Sequence, residues 1–265
     1  MTRGLILLWL ITSLCSASAD NLLDDADQPV PIHPPATRVV TLSPHTTELL
    51  SAAGGQDLLV AAPAHAADLP GQVVRINTLG GIDRELMLKL QPDLVLAWAS
   101  GNRASDLAWL HSQGIRVFQS EPQDMSQVAQ NLRAIGLLTG RHDIARQAAS
   151  RFMAEVQTAC APRPTEEVYI AIWDHPAMSV GGLHWLNDAL AHARLHNTYA
   201  SVQRGVFAVE RESLLSREDL LQVAPGQPPG NAQRRVSVES LSRPGPALAQ
   251  GIAELCQQTA AAAGR

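Results

Sequence analysis

The stretch RVVTLSPHTTELLSAAGG, residues 38–55, defines the first structural unit of this 265-residue sequence. It begins with a short run rich in β-branched residues, which is typical of a strand, and the Ser43-Pro44 pair ends that run. The residues that follow favour a helix, which Gly54 and Gly55 close. The stretch therefore predicts a strand, a loop and a helix in succession.

Strands and helices alternate in the same way along the chain as far as residue 138. Short apolar runs predict the strands, and the amphipathic segments between them predict the helices. The predicted strands are residues 38–42, 58–62, 94–97 and 115–119, and the predicted helices are residues 46–53, 83–90, 105–113 and 125–138. This order predicts a parallel sheet flanked by helices, with a ligand site beyond the carboxyl ends of the strands.

A longer helix is predicted for residues 142–160, where apolar side chains recur with i, i+4 spacing. Pro162 and Pro164 end it, and a new strand follows at residues 168–173. The predicted fold class is therefore α/β, with two lobes of mostly parallel sheet flanked by helices and joined by a single long backbone helix. The second lobe has fewer candidate strands, and it ends in a strand at 235–238 and a helix at 247–262.

Residues 1–19 have the pattern of a secretory signal peptide, with Arg3 ahead of an apolar run and small residues at the cleavage site. The run is shorter than the ~20 residues that a spanning helix needs, so we expect cleavage rather than a retained anchor, and a periplasmic mature chain. The acidic and proline-rich residues 20–37 favour an extended leader. The remaining expected units are the N-terminal lobe, the connecting helix and the C-terminal lobe, at residues 38–140, 141–161 and 162–265.

The composition excludes several functional classes. With 46% hydrophobic residues the chain is too apolar to be disordered, and three cysteines are too few for a disulfide scaffold. A net charge of −5 supplies no basic field for nucleic acid. The nucleophile elbow, the zinc-protease helix motif and the phosphate-binding loops are all absent from the sequence. We therefore expect a protein that is not an enzyme and has no nucleic-acid partner.

Histidine and aspartate side chains raise the question of a metal site. His184 and Asp188 have the i, i+4 spacing that puts two ligands on one helix face, and His45 and His65 lie in loops at the predicted ligand site. One helix supplies only two ligands, and such a pair occurs often by chance. Solvated or hydrogen-bonded histidine is the alternative, so we assign no metal-binding residues.

Two tryptophans stand at the carboxyl ends of predicted strands, Trp98 in the first lobe and Trp173 in the second. Facing each other across a cleft, two indoles would hold a large flat ligand by stacking. The alternative is that both are core residues that close their lobes. On the residues alone, both interpretations remain open.

Four segments are similar to sequence motifs of a known protein family: RVVTLSPHTTELLSAAG (38–54), QPDLVLAWASGN (91–102), IWDHPAMSVGG (172–182) and LSRPGP (241–246). Together they resemble the periplasmic cobalamin (vitamin B12)-binding proteins of ABC importers, within the helical-backbone class (class III) of solute-binding proteins. The first segment is shared with iron-siderophore and haem receptors of that class, whereas the second and third are more typical of the cobalamin branch. The resemblance implies two rigid lobes joined by a long helix, a ligand clamped between them, and no catalysis.

The resemblance also implies which residues contact the corrinoid ligand, mostly through apolar and aromatic surfaces. The expected ligand-binding residues are Ser43, Pro44, His45, Thr46, His65, Trp98, Ser100, Gly101, Asn102, Trp173, Asp174, His175 and Pro176. No cofactor is expected beyond cobalamin as the transported ligand. An axial cobalt ligand from His45, His65 or His175 is a further hypothesis.

In this family one surface glutamate on each lobe docks on arginines of the permease. The resemblance assigns these roles to Glu85 in IDREL and to Glu212 in ERESL. An isolated surface glutamate is ordinarily only solvated, so the assignment depends on the pairing with the family pattern. The expected partners are a corrinoid and an inner-membrane ABC permease with its ATPase, and we expect the protein itself to be a monomer.

The sequence departs from the family pattern in the second lobe and at two aromatic positions. Leu79 and Val206 stand where aromatic residues are common, and the passage at 226–235 is shorter than the usual strand-helix-strand segment. Two alternatives therefore stay open. The same fold binds an iron-siderophore, haem or a metal ion, or the chain is a degenerate paralogue without a transport role.

Two cysteines remain after removal of the signal peptide, Cys160 and Cys256. In an oxidising compartment they either form a disulfide or stay as two buried thiols. The half-cystine that the family often has near the position of Ala193 is absent. The resemblance therefore leaves Cys160 as the candidate partner of Cys256.

Overall fold

The computed structural model describes residues 21–67, 69–210, 212–213, 220–226 and 235–263, so the predicted signal peptide lies outside the described residues. The strands are Asn21–Leu23 (β1), Pro29–Pro31 (β2), Val39–Thr41 (β3), Leu59–Pro63 (β4), Val74–Ile76 (β5), Leu94–Trp98 (β6), Arg116–Ser120 (β7), Glu166–Ile170 (β8), Trp173–Asp174 (β9), Ala177–Val180 (β10), Leu195–Asn197 (β11), Val206–Ala208 (β12), Leu221–Pro225 (β13) and Arg235–Val238 (β14). The helices are Pro44–Ala52 (α1), Arg84–Leu90 (α2), Ala104–Ser112 (α3), Met125–Thr139 (α4), His142–Thr158 (α5), Leu186–His192 (α6) and Leu248–Ala263 (α7).

The sheet of the first lobe has the order β5-β4-β3-β6-β7, with neighbouring strands parallel. Its central strands are buried on both faces: β3 is buried throughout, and β6 is buried from Leu94 to Ala97. Strands covered by helices on both faces show continuous apolar runs, which is why these runs were recognisable in the sequence. The predicted alternation of strands and helices is confirmed here, with boundaries that differ by one or two residues.

The second lobe contains a parallel sheet in the order β11-β8-β13-β14 and a small antiparallel sheet in the order β12-β10-β9. The predicted α/β class with mostly parallel sheets is confirmed. The strand predicted at 168–173 was wrong in its extent, because the chain forms β8 and then turns into β9. Strands β5, β9, β10, β11, β12 and β13 and helix α6 were not predicted. Four of these strands have only two or three residues, too few to show a readable periodicity.

Strands β13 and β14 are parallel neighbours, although only residues 226–234 connect them. A crossover between parallel strands ordinarily takes a dozen or more residues. The connection in this chain is therefore short for its topology, which agrees with the shortened passage noted in the sequence.

Helix α5 joins the two sheets into a common core. Its buried stripe includes Ala145, Ala149, Phe152 and Val156, which belong to the same apolar cluster as residues of both sheets. Helix α4 approaches α5 so closely at Gly136 that a Cβ there would overlap with the Ala145 side chain. Because both sheets pack around this helix pair, the distance between the lobes is determined by a continuous core.

The segment predicted as an extended leader forms a hairpin of β1 and β2 that packs on the first lobe. Val30 is only 2% exposed, and the Arg116 guanidinium donates to the carbonyl oxygens of Pro31 and Pro34 at 3.1 and 2.8 Å. The Asp24 carboxylate accepts from the backbone N–H of Gln119 at 3.1 Å. The composition of residues 20–37 predicted a poorly packed segment. It could not reveal these bonds, because they join residues that are far apart in the sequence.

The structure pairs Cys160, just beyond α5, with Cys256 on α7 in a disulfide whose Cα atoms are 5.7 Å apart. Among the residues described, no helix has the length and apolar character needed to cross a membrane.

Replacing both cysteines by serine is expected to lower the free energy of unfolding by about 2–4 kcal/mol, because the disulfide closes a long loop in the unfolded chain. Urea unfolding with and without a reducing agent measures this difference. The reducing agent should destabilise the native chain and leave the Cys160→Ser/Cys256→Ser variant unchanged. Equal unfolding midpoints for native chain and variant would show that the pair is not bonded in solution.

Candidate ligand-binding site between the lobes

A cavity of about 500 Å³ lies between the two lobes. On the side of the first lobe it is lined by Pro44, His45, His65 and Trp98. On the side of the second lobe it is lined by Ile172, Trp173, His184, Trp185, Leu186, Val206, Pro225, Gly226, Glu239, Ser242, Arg243 and Pro244. The volume is within the range of small-molecule sites, and the position agrees with the rule for parallel sheets.

The start of α1 forms part of the first-lobe wall. Ser43 is the N-cap of this helix and Pro44 its first residue. Ser43 and Thr46 are both buried, and the Thr46 hydroxyl accepts from the Ser43 backbone N–H at 3.3 Å. Of the four residues predicted here, Pro44 and His45 therefore reach the cavity, whereas Ser43 and Thr46 shape the helix start behind it.

His45 is only 2% exposed, and both of its ring nitrogens have hydrogen-bond partners. Its Nδ1 lies 3.1 Å from the Ser43 hydroxyl and its Nε2 lies 3.3 Å from the Ser120 hydroxyl. Burial, with a smaller contribution from the positive charge of Arg243, lowers the pKa of His45 to about 4. At neutral pH the ring is therefore uncharged, and neither nitrogen is free for coordination.

Trp98 ends β6 with its side chain 37% exposed, and its ring meets that of His45 at an interplanar angle of 88° with 5.7 Å between centroids. The Asn102 side chain accepts from the Trp98 backbone N–H at 2.7 Å. A Cβ at Gly101 would overlap with the indole, so only glycine fits there. The predicted residues Ser100, Gly101 and Asn102 form the turn beneath Trp98 and do not line the cavity.

Trp173 is 51% exposed on the opposite wall, and its indole N–H donates to the carbonyl oxygen of His175 at 2.8 Å. Asp174 forms an ion pair with Arg235, with both carboxylate oxygens 3.0 Å from Nη1. His175 and Pro176 make the turn between β9 and β10. Of the four residues predicted on this wall, Trp173 lines the cavity and the other three lie outside its lining.

Most of the second-lobe lining was not predicted. Ser242, Arg243 and Pro244 belong to the LSRPGP segment, which contributed to the family resemblance. No role in ligand binding was predicted for these three residues from the sequence. His184 and Trp185 directly precede helix α6, so His184 is not on the helix face that it would share with Asp188. Burial lowers the pKa of His184 to about 4, and its Nδ1 accepts from a backbone N–H at 3.2 Å.

An ion pair between Glu48 and the cavity-lining Arg243 connects the two lobes. The Arg243 Nε donates to Oε1 of Glu48, on α1, at 3.0 Å. Burial raises the pKa of Glu48, and the charge of Arg243 opposes this shift. A second contact joins the lobes where the Met125 backbone N–H donates to the Asp188 carboxylate at 2.8 Å. These bonds hold the cavity walls at a definite spacing.

The histidine and aspartate candidates for a metal site are not assembled. Asp188 faces the start of α4 and His192, whose Nε2 lies 3.9 Å from its carboxylate, while His184 lines the cavity. In the part of the chain that the structure describes, no group of three histidine, cysteine or acidic side chains is arranged to hold a metal ion.

The two predicted docking glutamates are accessible. Glu85 lies on α2 with its side chain 79% exposed, and its carboxylate is 2.7 Å from Nζ of Lys89. Glu212 is also exposed, beside residues outside the described part of the chain.

Two lobes with parallel sheets, a continuous helical core and an apolar cleft define a solute-binding protein. The chain belongs to the periplasmic binding protein family, which matches residues 39–225. The resemblance to cobalamin-binding proteins is confirmed. The chain is 29% identical over 240 residues to the vitamin B12-binding protein of Photorhabdus laumondii, across 83% of this chain and 87% of that protein.

Solved structures share the fold. The periplasmic vitamin B12 binding protein BtuF of Vibrio cholerae superposes with a TM-score of 0.76 and 22% identity, across 87% of this chain and 99% of that chain. The periplasmic heme-binding protein RhuT from Roseiflexus sp. RS-1 superposes with a TM-score of 0.72 and 17% identity, across 86% of this chain and 99% of that chain. These relatives are binding proteins, so the fold is shared by receptors for different ligands.

Stability is expected to fall as the pH is lowered from 6.5 to 4. The folded pKa values of His45 and His184 lie below the ordinary value, so the unfolded chain takes up protons first. The contribution of the two neutral rings to the free energy of unfolding is fully present above pH 6.5 and is lost as the pH falls through the folded pKa. For each histidine, the free energy of unfolding falls by up to about 1.4 kcal/mol per pH unit. Urea unfolding between pH 4 and 7.5 measures the slope.

The variants His45→Gln and His184→Gln should each reduce that slope. Trp109→Ala, which removes no titratable group, should shift the whole curve without changing the slope. A slope that both histidine variants leave unaltered would contradict the assignment of two buried neutral rings.

Proposed function

We propose that this chain captures cobalamin or a related corrinoid between its lobes and delivers it to an inner-membrane ABC permease with its ATPase. The observation that carries the proposal is the pair of partly exposed indoles, Trp98 and Trp173, on opposite walls of the cavity. The relatives named as vitamin B12-binding proteins support it. In this proposal the corrinoid is cargo, the protein has no cofactor of its own, and it works as a monomer in the periplasm after removal of the signal peptide.

The chemistry of the lining favours a large and mostly neutral ligand. Exposed indoles lose favourable burial unless a ligand covers them, and a flat macrocycle offers two apolar faces for that purpose. Ile172 and Val206 extend the apolar surface on the second-lobe wall. Glu239 and Ser242 add polar atoms to the lining, which suits the amide-bearing rim of a corrin ring.

Haem and ferric siderophores are the competing ligands, because solved structures of the same fold include heme-binding proteins. Their carboxylate or chelate charges would need a cluster of arginines at the cleft. Within the described residues, Arg243 is the arginine on the cavity lining, and it is already paired with Glu48. The charge of the lining therefore supports a corrinoid over an anionic iron complex.

Calorimetric titration of the mature chain, from residue 20 onward, with cyanocobalamin tests the ligand. We expect one-to-one binding in the submicromolar range, and Trp98→Ala and Trp173→Ala should each weaken it by about tenfold, since each removes a stacking surface worth about 1.4 kcal/mol. Trp109→Ala is the matched control, because Trp109 packs under Arg84 away from the cavity.

The same titration with haemin, a ferric siderophore and Zn²⁺ covers the alternatives. Tighter binding of any of these than of cyanocobalamin would overturn the corrinoid assignment. A folded chain that binds none of the four would indicate a paralogue without a transport role.

Reversal of the two docking charges is expected to abolish transport and to leave ligand affinity intact. The variant Glu85→Lys/Glu212→Lys replaces attraction to permease arginines by repulsion, while both positions lie outside the cavity lining. Uptake of labelled cyanocobalamin by vesicles containing the permease and its ATPase measures the effect. Glu155→Lys, an exposed charge reversal on α5, is the control. Normal uptake by the double variant would reject the docking roles.

A further inference from the structure

A chain of hydrogen bonds, part-buried at its outer end and buried at its inner end, runs from the N-terminal hairpin to the wall of the cavity. It starts at Asp25, in the turn between β1 and β2, and passes through Asn131 on α4 and Ser120 at the end of β7 to reach His45. The three bonds measure 2.8, 2.9 and 3.3 Å in that order. The hairpin lies before residue 39, where the family match begins.

The direction of the first bonds is determined by groups that can only donate. The Glu121 backbone N–H donates to Oδ2 of Asp25 at 2.6 Å, so this oxygen is an acceptor. Nδ2 of Asn131 donates to the same oxygen and, with its second hydrogen, to the Ser120 hydroxyl. The opposite amide orientation would place two acceptor oxygens against each other in a site where Asn131 is 2% exposed.

Ser120 transmits this direction to the ring of His45. Its oxygen accepts from Asn131, which leaves its hydroxyl hydrogen available for donation to His45 Nε2. The backbone of Ser120 also interacts with the ring and by itself favours a proton there. That backbone contact opposes an accepting Nε2, so the tautomer depends on the hydroxyl bond, which is the contact through which Asn131 and Asp25 act on the ring.

The far side of the ring agrees with this direction. If Nε2 accepts, Nδ1 carries the hydrogen and donates to the Ser43 hydroxyl at 3.1 Å. That hydroxyl donates onward to the Thr46 hydroxyl at 3.0 Å, whose own hydrogen goes to the Ser43 carbonyl oxygen at 2.9 Å. Every hydrogen in the chain thus has an acceptor, as a buried network requires.

We propose that Asp25 is a positioning residue, which holds His45 in the Nδ1–H tautomer and thereby orients Trp98 at the ligand cavity. The link to the ligand is the edge-to-face contact between the His45 and Trp98 rings. This part of the inference rests on the proposed function, whereas the tautomer does not depend on any ligand. A segment outside the family match thus contributes to the binding site through bonds, without touching the cavity.

The mechanism predicts a switch when the carboxylate is removed. In Asp25→Ala the Asn131 amide is free to rotate and present its oxygen to Ser120, whose hydroxyl then donates away from His45. Nε2 becomes the protonated nitrogen and donates to the Ser120 oxygen. Asp25→Asn keeps an acceptor oxygen in the same place, so it should preserve the native tautomer.

Nitrogen-15 NMR of the histidine rings in the full mature chain tests the tautomer at pH 7. The native chain and Asp25→Asn should show His45 protonated on Nδ1, whereas Asp25→Ala and Ser120→Ala should show it protonated on Nε2. Asp27→Asn, in the same turn but outside the hydrogen-bond chain, is the control and should match the native spectrum. Protonation on Nε2 in the native chain, or an unchanged tautomer in both Asp25→Ala and Ser120→Ala, would overturn the proposal.

Cyanocobalamin titration of the same variants tests the link to the site. Asp25→Ala should bind about 2- to 10-fold more weakly, as expected for a disturbed ring contact, and Asp25→Asn should bind like the native chain. A switched tautomer with unchanged affinity would remove the link to Trp98. Failure of the native chain to bind cyanocobalamin would reject the proposed function and leave the tautomer result standing.

Discussion

The packing of α5 between the two sheets is the interaction on which the rest of the structure depends. A parallel sheet needs both faces covered, and α5 with α4 and α7 covers the inner faces of both lobes at once. Close approach at Gly136 and the small side chain of Ala145 let the helices pack tightly. Because the interior is close-packed, the lobes have little freedom to change their spacing, and the cavity walls face each other at a definite distance.

The cavity combines exposed apolar surface with a buried polar support. Trp98 and Trp173 lose favourable burial by facing solvent, and each is held by bonds from its own turn, through Asn102 and through the His175 carbonyl oxygen. A rigid indole loses little conformational entropy when a ligand covers it, so holding the rings in advance favours binding. The Glu48–Arg243 pair performs a related task by fixing the relative position of the two walls.

The polar residues behind the first-lobe wall are buried and form a hydrogen-bond network, although residues of these types are usually exposed. Ser43, Thr46 and Ser120 are fully or almost fully buried, and their hydroxyls form a connected set of bonds with His45. Such a network stabilises a particular geometry only if every member is satisfied. The N-terminal hairpin adds Asp25 to this network. The hairpin itself packs on the lobe through buried Val30 and through the bonds of Arg116 and Asp24.

The α/β class, the order of strands and helices in the first lobe, the long α5 helix and the indole at the end of β6 were all determined by the sequence alone. Each of them depends on local periodicity, on turn residues or on recognisable motifs. The short strands of the second lobe, the hairpin, the partner of Glu48 and the contacts of His45 were decided by the tertiary structure. Each joins residues that are distant in the chain, and neither periodicity nor composition records which distant groups meet. For the same reason the sequence located the cavity through its loops, while its second-lobe wall appeared only when the chain was folded.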